Sequence, residues 1–325
     1  MACQSLSCCR RHPRACKHDT VASSNLRAPY QHDTVASSSL RAPYQYGTPH
    51  VTYLAFGGND QFVAQEVGRS AFSVSRSTVG ASFTVLVDAE SSRERLLQVG
   101  LPASAQIQLV HRAAVSQRFQ DVGLMKGAHH SGWGGYAKLL IPELLPTTIE
   151  ATIIMDSDTI NARDLGAMWA LRTQLDERGS VLAAKRLQTG GACLHGERIN
   201  SGVVLMDLRR ARQMNWTRSF VLDRIAHLGR ARLPARECGK MIRNGTMMAG
   251  DQELLSYACL KSRACLALPA VMHQDKCDGW SHSNSALIYH FNCHGRPESD
   301  CPTTACTRLA REWGRLYSKG HLVGY

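Results

Sequence analysis

From Val51 onward, apolar runs alternate with polar, helix-like stretches. Val51-Thr52-Tyr53-Leu54-Ala55-Phe56 reads as a strand, and Gly57-Gly58-Asn59-Asp60 as the loop that ends it. A helix is predicted from Gln61 to Ser75, a second strand from Ser82 to Val87 and a second helix from Ser91 to Val99. Ile107 to Val110 reads as a third strand. Gly134 to Leu145 is predicted to be helical around a Pro142 kink, and Ala151 to Met155 is a strand of the buried type. Asp164 to Glu177 reads as a helix with Asp164 near its cap. Strands alternating with helices predict an α/β domain with a mostly parallel sheet and helices on both faces. Ligands of such sheets bind outside the carboxyl ends of the strands. Those loops are where chemistry is expected.

Ile153-Ile154-Met155-Asp156-Ser157-Asp158 is the sharpest feature. An apolar strand emerges and at once presents two carboxylates two residues apart. Hard oxygen ligands of this type suit Mg²⁺ or Mn²⁺, which can bridge a diphosphate. Acidic residues also cap turns after strands, so the pair alone does not decide. Two enzyme designs place Asp-x-Asp here. Phosphatases of the haloacid-dehalogenase type need a threonine two residues after the second Asp, where this chain has Ile160. Their later Gly-Asp-x-x-x-Asp also fails, because Gly250-Asp251 is followed by Leu255. Nucleotide-sugar glycosyltransferases have neither requirement.

Three further segments follow in order. Ile199-Asn200-Ser201-Gly202 reads as a polar turn before the apolar run Val203 to Met206. Gly250-Asp251-Gln252-Glu253-Leu254-Leu255 opens a helix, and Leu287 to Asn292 is a short strand carrying His290. Upstream lie His130-Ser131-Gly132-Trp133-Gly134-Gly135-Tyr136-Ala137-Lys138-Leu139 and Leu144-Leu145-Pro146. This order, from about Val51 to Pro297, resembles glycosyltransferase family 8, nearest to its LARGE-type xylosyltransferase domain and the glucoside xylosyltransferases.

The resemblance implies a GT-A fold holding a UDP-sugar and a divalent metal, usually Mn²⁺, with Mg²⁺ the other candidate. By the same resemblance, Asp156, Asp158 and His290 are the metal ligands. Mn²⁺ accepts imidazole more readily than Mg²⁺ does, which agrees with a histidine in the set. Lys138, Asn200, Ser201, Gly295 and Arg296 are matched to the donor site, and Asp251 and Gln252 to the pair orienting the transferred sugar. Arg296 departs from the lysine that family members often carry after such a glycine. The family retains anomeric configuration. Gln252 is a poor nucleophile, so attack from the leaving-group side is expected, with Asp251 holding sugar hydroxyls. Xylose is the expected sugar, other hexoses being the alternatives, and the acceptor is a glycan or glycoprotein.

Composition changes this picture in two places. The net charge of +12 first invites a nucleic-acid reading. Residues 1–50 hold six Lys or Arg against two acids, so +4 of it lies there and +8 is spread over the rest. No RNA- or DNA-binding signature accompanies that charge, and a basic surface serves anionic nucleotide-sugars equally well. No nucleic-acid partner is expected. A basic nucleic-acid binder or a cysteine-rich interaction protein without catalysis is the alternative. Residues 1–49 carry a tandem copy, His18 to Gln31 repeated as His32 to Gln45, and read as a disordered tail. Residues 50–325 are then a single domain.

The twelve cysteines divide into four in the tail and eight beyond it. Pairs such as Cys277 with Cys293, or Cys301 with Cys306, are candidate disulfides. Asn215-Trp216-Thr217 and Asn244-Gly245-Thr246 have the form of glycosylation acceptors. Together with the family these features predict the Golgi or endoplasmic reticulum lumen. The family leads one to expect an N-terminal membrane anchor, and no apolar run of that length precedes Val51.

Overall fold

The strand Ala151–Met155 shows how the chain sorts its side chains. Ile153 and Met155 pack into one buried cluster with Tyr53 and Val85. Ile154 packs into another, with Leu182 and Val204. Successive strand side chains point to opposite faces, so an uninterrupted apolar run means that both faces are covered. This computed structural model describes residues 47–56, 61–123, 132–187, 198–223, 225–226, 242–243, 246–247, 250–276, 285–291 and 300–318.

The strands in chain order are β1 (His50–Ala55), β2 (Ser82–Val87), β3 (Ala105–Leu109), β4 (Ala151–Met155), β5 (Thr159–Asn161), β6 (Leu182–Leu187) and β7 (Arg198–Asp207). Then come β8 (Ile242–Arg243), β9 (Thr246–Met247), β10 (Cys265–Ala267), β11 (His273–Asp275) and β12 (Ile288–His290). The helices used below are α1 (Gln61–Ser77), α2 (Glu90–Val99), α3 (Arg112–Gln120), α4 (Gly132–Ala137), α5 (Ile141–Leu144), α6 (Gly166–Trp169) and α7 (Arg172–Arg178). They continue with α8 (Leu208–Gln213), α9 (Asp251–Ser262) and α10 (Thr304–Ser318).

The main sheet has seven strands in the order β10-β6-β7-β4-β1-β2-β3. Only β7 runs against its neighbours, antiparallel to both β6 and β4; the other pairs are parallel. The mostly parallel α/β sheet expected from the alternation is therefore present, with β7 as its one reversed strand. A smaller sheet has the order β11-β12-β5, with β12 antiparallel to β5. Its register sets His290 opposite Thr159, immediately after the two acids that follow β4. The reversal of β7 brings its amino-terminal half to the same place, where Asp156 N donates to Gly202 O (2.7 Å).

Four local expectations are corrected. Pro142 does not kink a helix from Gly134 to Leu145; a 3₁₀ turn at Lys138–Leu140 separates α4 from α5, and Pro142 sits in the first turn of α5. Proline lacks the N–H that this position leaves unpaired, so it opens the new helix. The Asp164 to Glu177 helix is two helices, α6 and α7. At the break Leu171 N donates to Met168 O (3.1 Å), a tightened i to i−3 bond. Asp164 lies before α6, where its Oδ1 accepts from Gly166 N (3.0 Å). The third strand begins two residues early, at Ala105. Finally, Asn200 and Ser201 form no turn: both lie buried within β7. A polar pair reads locally as a turn, but here distant acids satisfy it.

Disulfides join Cys301 to Cys306, as expected, and Cys259 to Cys265, which ties the end of α9 to β10. The tail up to residue 46, the Cys277–Cys293 pair and Asn244 lie outside the described residues. Among the described residues no helix is long and apolar enough to cross a membrane.

Candidate active site

The glycine-rich segment before Lys138 is explained by close packing. Gly134 rests on Phe56 at the end of β1; a Cβ there would lie 2.6 Å from the Phe56 Cβ. Trp133 and Tyr136 pack on Phe119 of α3, with ring centroids 6.3 and 5.3 Å away. Thus α4 is pinned at the end of the sheet, and the turn after it delivers Lys138 into the interior.

Lys138 is buried, and its ammonium meets two acids. Nζ lies 2.5 Å from Asp156 Oδ1 and 3.2 Å from Asp251 Oδ2, and it donates to Ser201 O (3.3 Å). Burial opposes the charge, yet Asp156 and Asp251 hold its pKa well above the usual lysine value. Asp251 is the first residue of α9 rather than its cap. Gly250 takes the cap position, and Glu253 Oε2 accepts from Gly250 N (3.0 Å). The Asp251 carboxylate instead faces inward, where Oδ2 accepts from Ser201 Oγ (2.9 Å). Gln252 sits beside it, its Oε1 accepting from Ser201 N (3.4 Å).

The second half of the site centres on His290. Its Nε2 lies 3.2 Å from Asp158 Oδ1 and 3.7 Å from Asp156 Oδ2. Its Nδ1 lies 3.0 Å from Asp275 Oδ1 and 3.2 Å from His273 Nε2. Burial lowers its pKa, but the charge and hydrogen bond of Asp158, then Asp275 and Asp156, outweigh that and push it up to about 10. Asp158 moves the opposite way: burial raises its pKa, while His290 and Lys138 pull it below the ordinary carboxylate value. The imidazole packs directly against Gly202. A Cβ there would fall 2.7 Å from Nδ1 and 2.8 Å from Nε2, and would overlap Cε1. Only glycine admits the ring.

The structure therefore gathers Lys138, Asp156, Asp158, Ser201, Asp251, Gln252 and His290 around one point beyond the carboxyl end of β4. Asn200 is adjacent, but its amide is committed inward: Nδ2 donates to Asp275 Oδ1 (2.9 Å), and Oδ1 accepts from Gly202 N (2.7 Å). Gly295 and Arg296 lie outside the described residues. Sequence reading missed Lys185, His273 and Asp275. Lys185 Nζ donates to Asp275 Oδ2 at 2.5 Å, with both groups buried. A signal existed: a lone lysine closing the apolar run Val181-Leu182-Ala183-Ala184, and an acid two residues after His273.

Solved structures with the same fold include sugar transferases. Mouse xyloside xylosyltransferase 1 covers 76% of this chain and 99% of its own, with a TM-score of 0.57 at 15% identity. The galactosyltransferase LgtC covers 82% and 95%, with a TM-score of 0.58 at 16% identity. The fold is GT-A. By sequence, human xylosyl- and glucuronyltransferase LARGE2 is 29% identical over 112 residues, 31% of this chain and 16% of its own length. Human LARGE1 is 27% identical over 112 residues. The GT-A chain thus spans about a sixth of the length of the curated relatives it matches. No family profile matches it. The sequence likeness is thus to LARGE-type enzymes and the fold likeness to xyloside xylosyltransferase 1 and LgtC, and nothing in these likenesses favours a nucleic-acid binder.

Proposed function

We propose that this chain is a retaining, divalent-metal-dependent glycosyltransferase. It moves a sugar, xylose first among the candidates, from a UDP-sugar to a glycan or glycoprotein. The observation that carries the reading is the meeting of Asp156, Asp158 and His290 beyond β4 in a GT-A fold, with ligand atoms all within 4.8 Å of one another. Two carboxylates and an imidazole suit Mn²⁺. The charge balance fits as well: with His290 neutral as a ligand, Asp156, Asp158, Asp251 and Asp275 face Lys138 and Lys185, a formal 2 − 4 = −2 that a divalent cation would neutralise. When bound, such a cation supplies Lewis-acid stabilisation of the departing diphosphate.

The protein's own groups supply the rest. Lys138 places a permanent positive charge beside Asp156, where the leaving UDP gathers negative charge. Asp251 is held by Lys138 and Ser201, which fixes the orientation of a carboxylate able to accept from sugar hydroxyls. Gln252, an amide, offers hydrogen bonds and no competent nucleophile. The acceptor hydroxyl then attacks from the side the UDP leaves, keeping the anomeric configuration. Two disulfides among the described residues suit an oxidising lumen such as that of the Golgi or endoplasmic reticulum.

The test is UDP-sugar hydrolysis over a panel of xylose, glucose, galactose and glucuronate donors, with and without Mn²⁺, beside Asp158→Asn. One donor turned over, with Mn²⁺ required and the variant inert, supports the reading. Hydrolysis indifferent to both metal and substitution would refute it.

A further inference from the structure

The group that the proposed chemistry does not use is Asp275, a buried carboxylate one layer behind the acids that face solvent. An isolated buried lysine–aspartate pair needs no third partner, yet Asp275 is also set against Asn200 and His290, with His273 Nε2 3.6 Å from its Oδ1. Oδ2 accepts from Lys185 Nζ (2.5 Å); Oδ1 accepts from Asn200 Nδ2 (2.9 Å) and lies 3.0 Å from His290 Nδ1. A carboxylate only accepts hydrogen bonds, so the ring nitrogen facing it carries the hydrogen. His273 Nε2 lies 3.2 Å from the same Nδ1 and can share that hydrogen as a second acceptor. Once Nδ1 holds the hydrogen, a neutral imidazole has its lone pair on Nε2, the atom 3.2 Å from Asp158 and 3.7 Å from Asp156.

The ring's orientation is fixed from three sides as well as its tautomer. Gly202 underlies it, β12 carries it opposite Thr159, and Asp275 comes from the neighbouring parallel strand β11, in register with His290. Asn200 closes the arrangement, since the same amide that holds Asp275 also accepts from Gly202 N. We propose that Asp275, clamped by Lys185 and Asn200, is the positioning residue of the metal centre: it holds the Nδ1 hydrogen of His290 and turns Nε2 towards Asp156 and Asp158. This rests on the glycosyltransferase reading above, in which His290 is a ligand. Asn200 then acts through Asp275 rather than on the donor sugar.

Outer partners of ligating histidines typically govern metal affinity by about 10- to 100-fold. The experiment is Mn²⁺ and Mg²⁺ titration of the whole protein, followed by electron paramagnetic resonance of free Mn²⁺ and by competition with Mg²⁺. It compares wild type, Asp275→Asn, and the double variant Asp275→Asn with Lys185→Met, which strands no buried ammonium. Measurements are made on monodisperse protein with a native circular dichroism spectrum. Mn²⁺ should bind about 10- to 100-fold more weakly to the variants, while Mg²⁺, which relies on oxygen ligands, changes less. The preference for Mn²⁺ over Mg²⁺ therefore falls. A folded double variant that keeps its Mn²⁺ affinity within about twofold overturns the proposal. So does equal weakening of both metals, which marks Asp275 as merely structural. A wild-type protein that binds no Mn²⁺ refutes the glycosyltransferase reading itself, and the positioning role with it.

Discussion

At the amino ends of β1, β2 and β4, a buried cluster joins His50 to Thr152 (2.9 Å) and Thr84 (3.1 Å), and Thr52 to Thr152 (2.8 Å). Beyond the carboxyl end of β4, another joins Lys138, Asp156, Asp158, Asp251, Asp275 and His290. Both are polar and both lie against the same sheet, but they obey different rules. In the first, hydroxyls and one imidazole satisfy one another without charge, and burial lowers the His50 pKa to about 4. In the second, acids outnumber ammonium groups, and the Asp156 and Asp158 side chains remain about one-third open to solvent. A closed neutral cluster holds strands together. An open, negatively charged one is costly to assemble, and a cation, as proposed for this site, would offset that cost. That difference separates a structural polar core from a site.

The comparison can be broken most forcefully at its charged end. Asp158→Asn should lower metal-dependent turnover by on the order of 10³-fold, several kcal/mol of transition-state stabilisation, with little change in melting temperature. A steady-state assay beside a thermal melt checks both halves. Gly202→Ala pushes a methyl group into the His290 ring, and should weaken Mn²⁺ binding by roughly 10- to 100-fold in a titration. Lys185→Met leaves Asp275 buried without its ammonium, and should cost about 3–5 kcal/mol in urea unfolding. Thr52→Val at the neutral end should cost only about 1 kcal/mol in the same experiment.

The two histidines also differ in sign with pH. His50 is neutral in the fold, with a pKa of about 4 against about 6.5 unfolded. The unfolded chain binds more protons between those values, so this contribution is complete above pH 6.5 and is lost as pH falls towards 4. Its size is on the order of 3 kcal/mol, and His50→Gln should flatten that part of the stability profile. His290, raised to about 10 in the metal-free protein, contributes in the other direction: fully below pH 6.5, and lost as pH rises through 10. The smallest expected effect concerns Thr217. Its hydroxyl is buried without a hydrogen-bond partner, next to exposed Asn215 in the acceptor triplet. The lumenal reading predicts that Thr217→Val removes a glycosidase-sensitive gel shift while changing stability by no more than about 1 kcal/mol.

Much of this was legible wherever the information is local. The strands β1, β2 and β4 announce themselves as largely apolar runs rich in β-branched and aromatic residues, and Asp156 and Asp158 follow at once on such a strand. His290 was legible only in combination, as one histidine on a short strand made meaningful by motifs far upstream. What escaped depends on partners distant in sequence. Asn200 and Ser201 look like a turn because nothing nearby shows Asp275 and Asp251 waiting for them, some 50 to 75 residues on. Lys185 at the end of an apolar run looks like a strand leaving the core, when its ammonium is in fact drawn inward by Asp275. The break between α6 and α7 is set by tight local hydrogen bonding that a polar–apolar pattern does not encode.

The central claim is that the charged cluster is a metal–diphosphate site. It is tested most directly by calorimetric titration of UDP into the protein with Mn²⁺, with EDTA, and in Asp158→Asn with Mn²⁺. The account predicts saturable binding with Mn²⁺ that weakens by at least about tenfold in the other two cases. Equal UDP affinity in all three, or no UDP binding by folded wild-type protein with Mn²⁺ present, would contradict it.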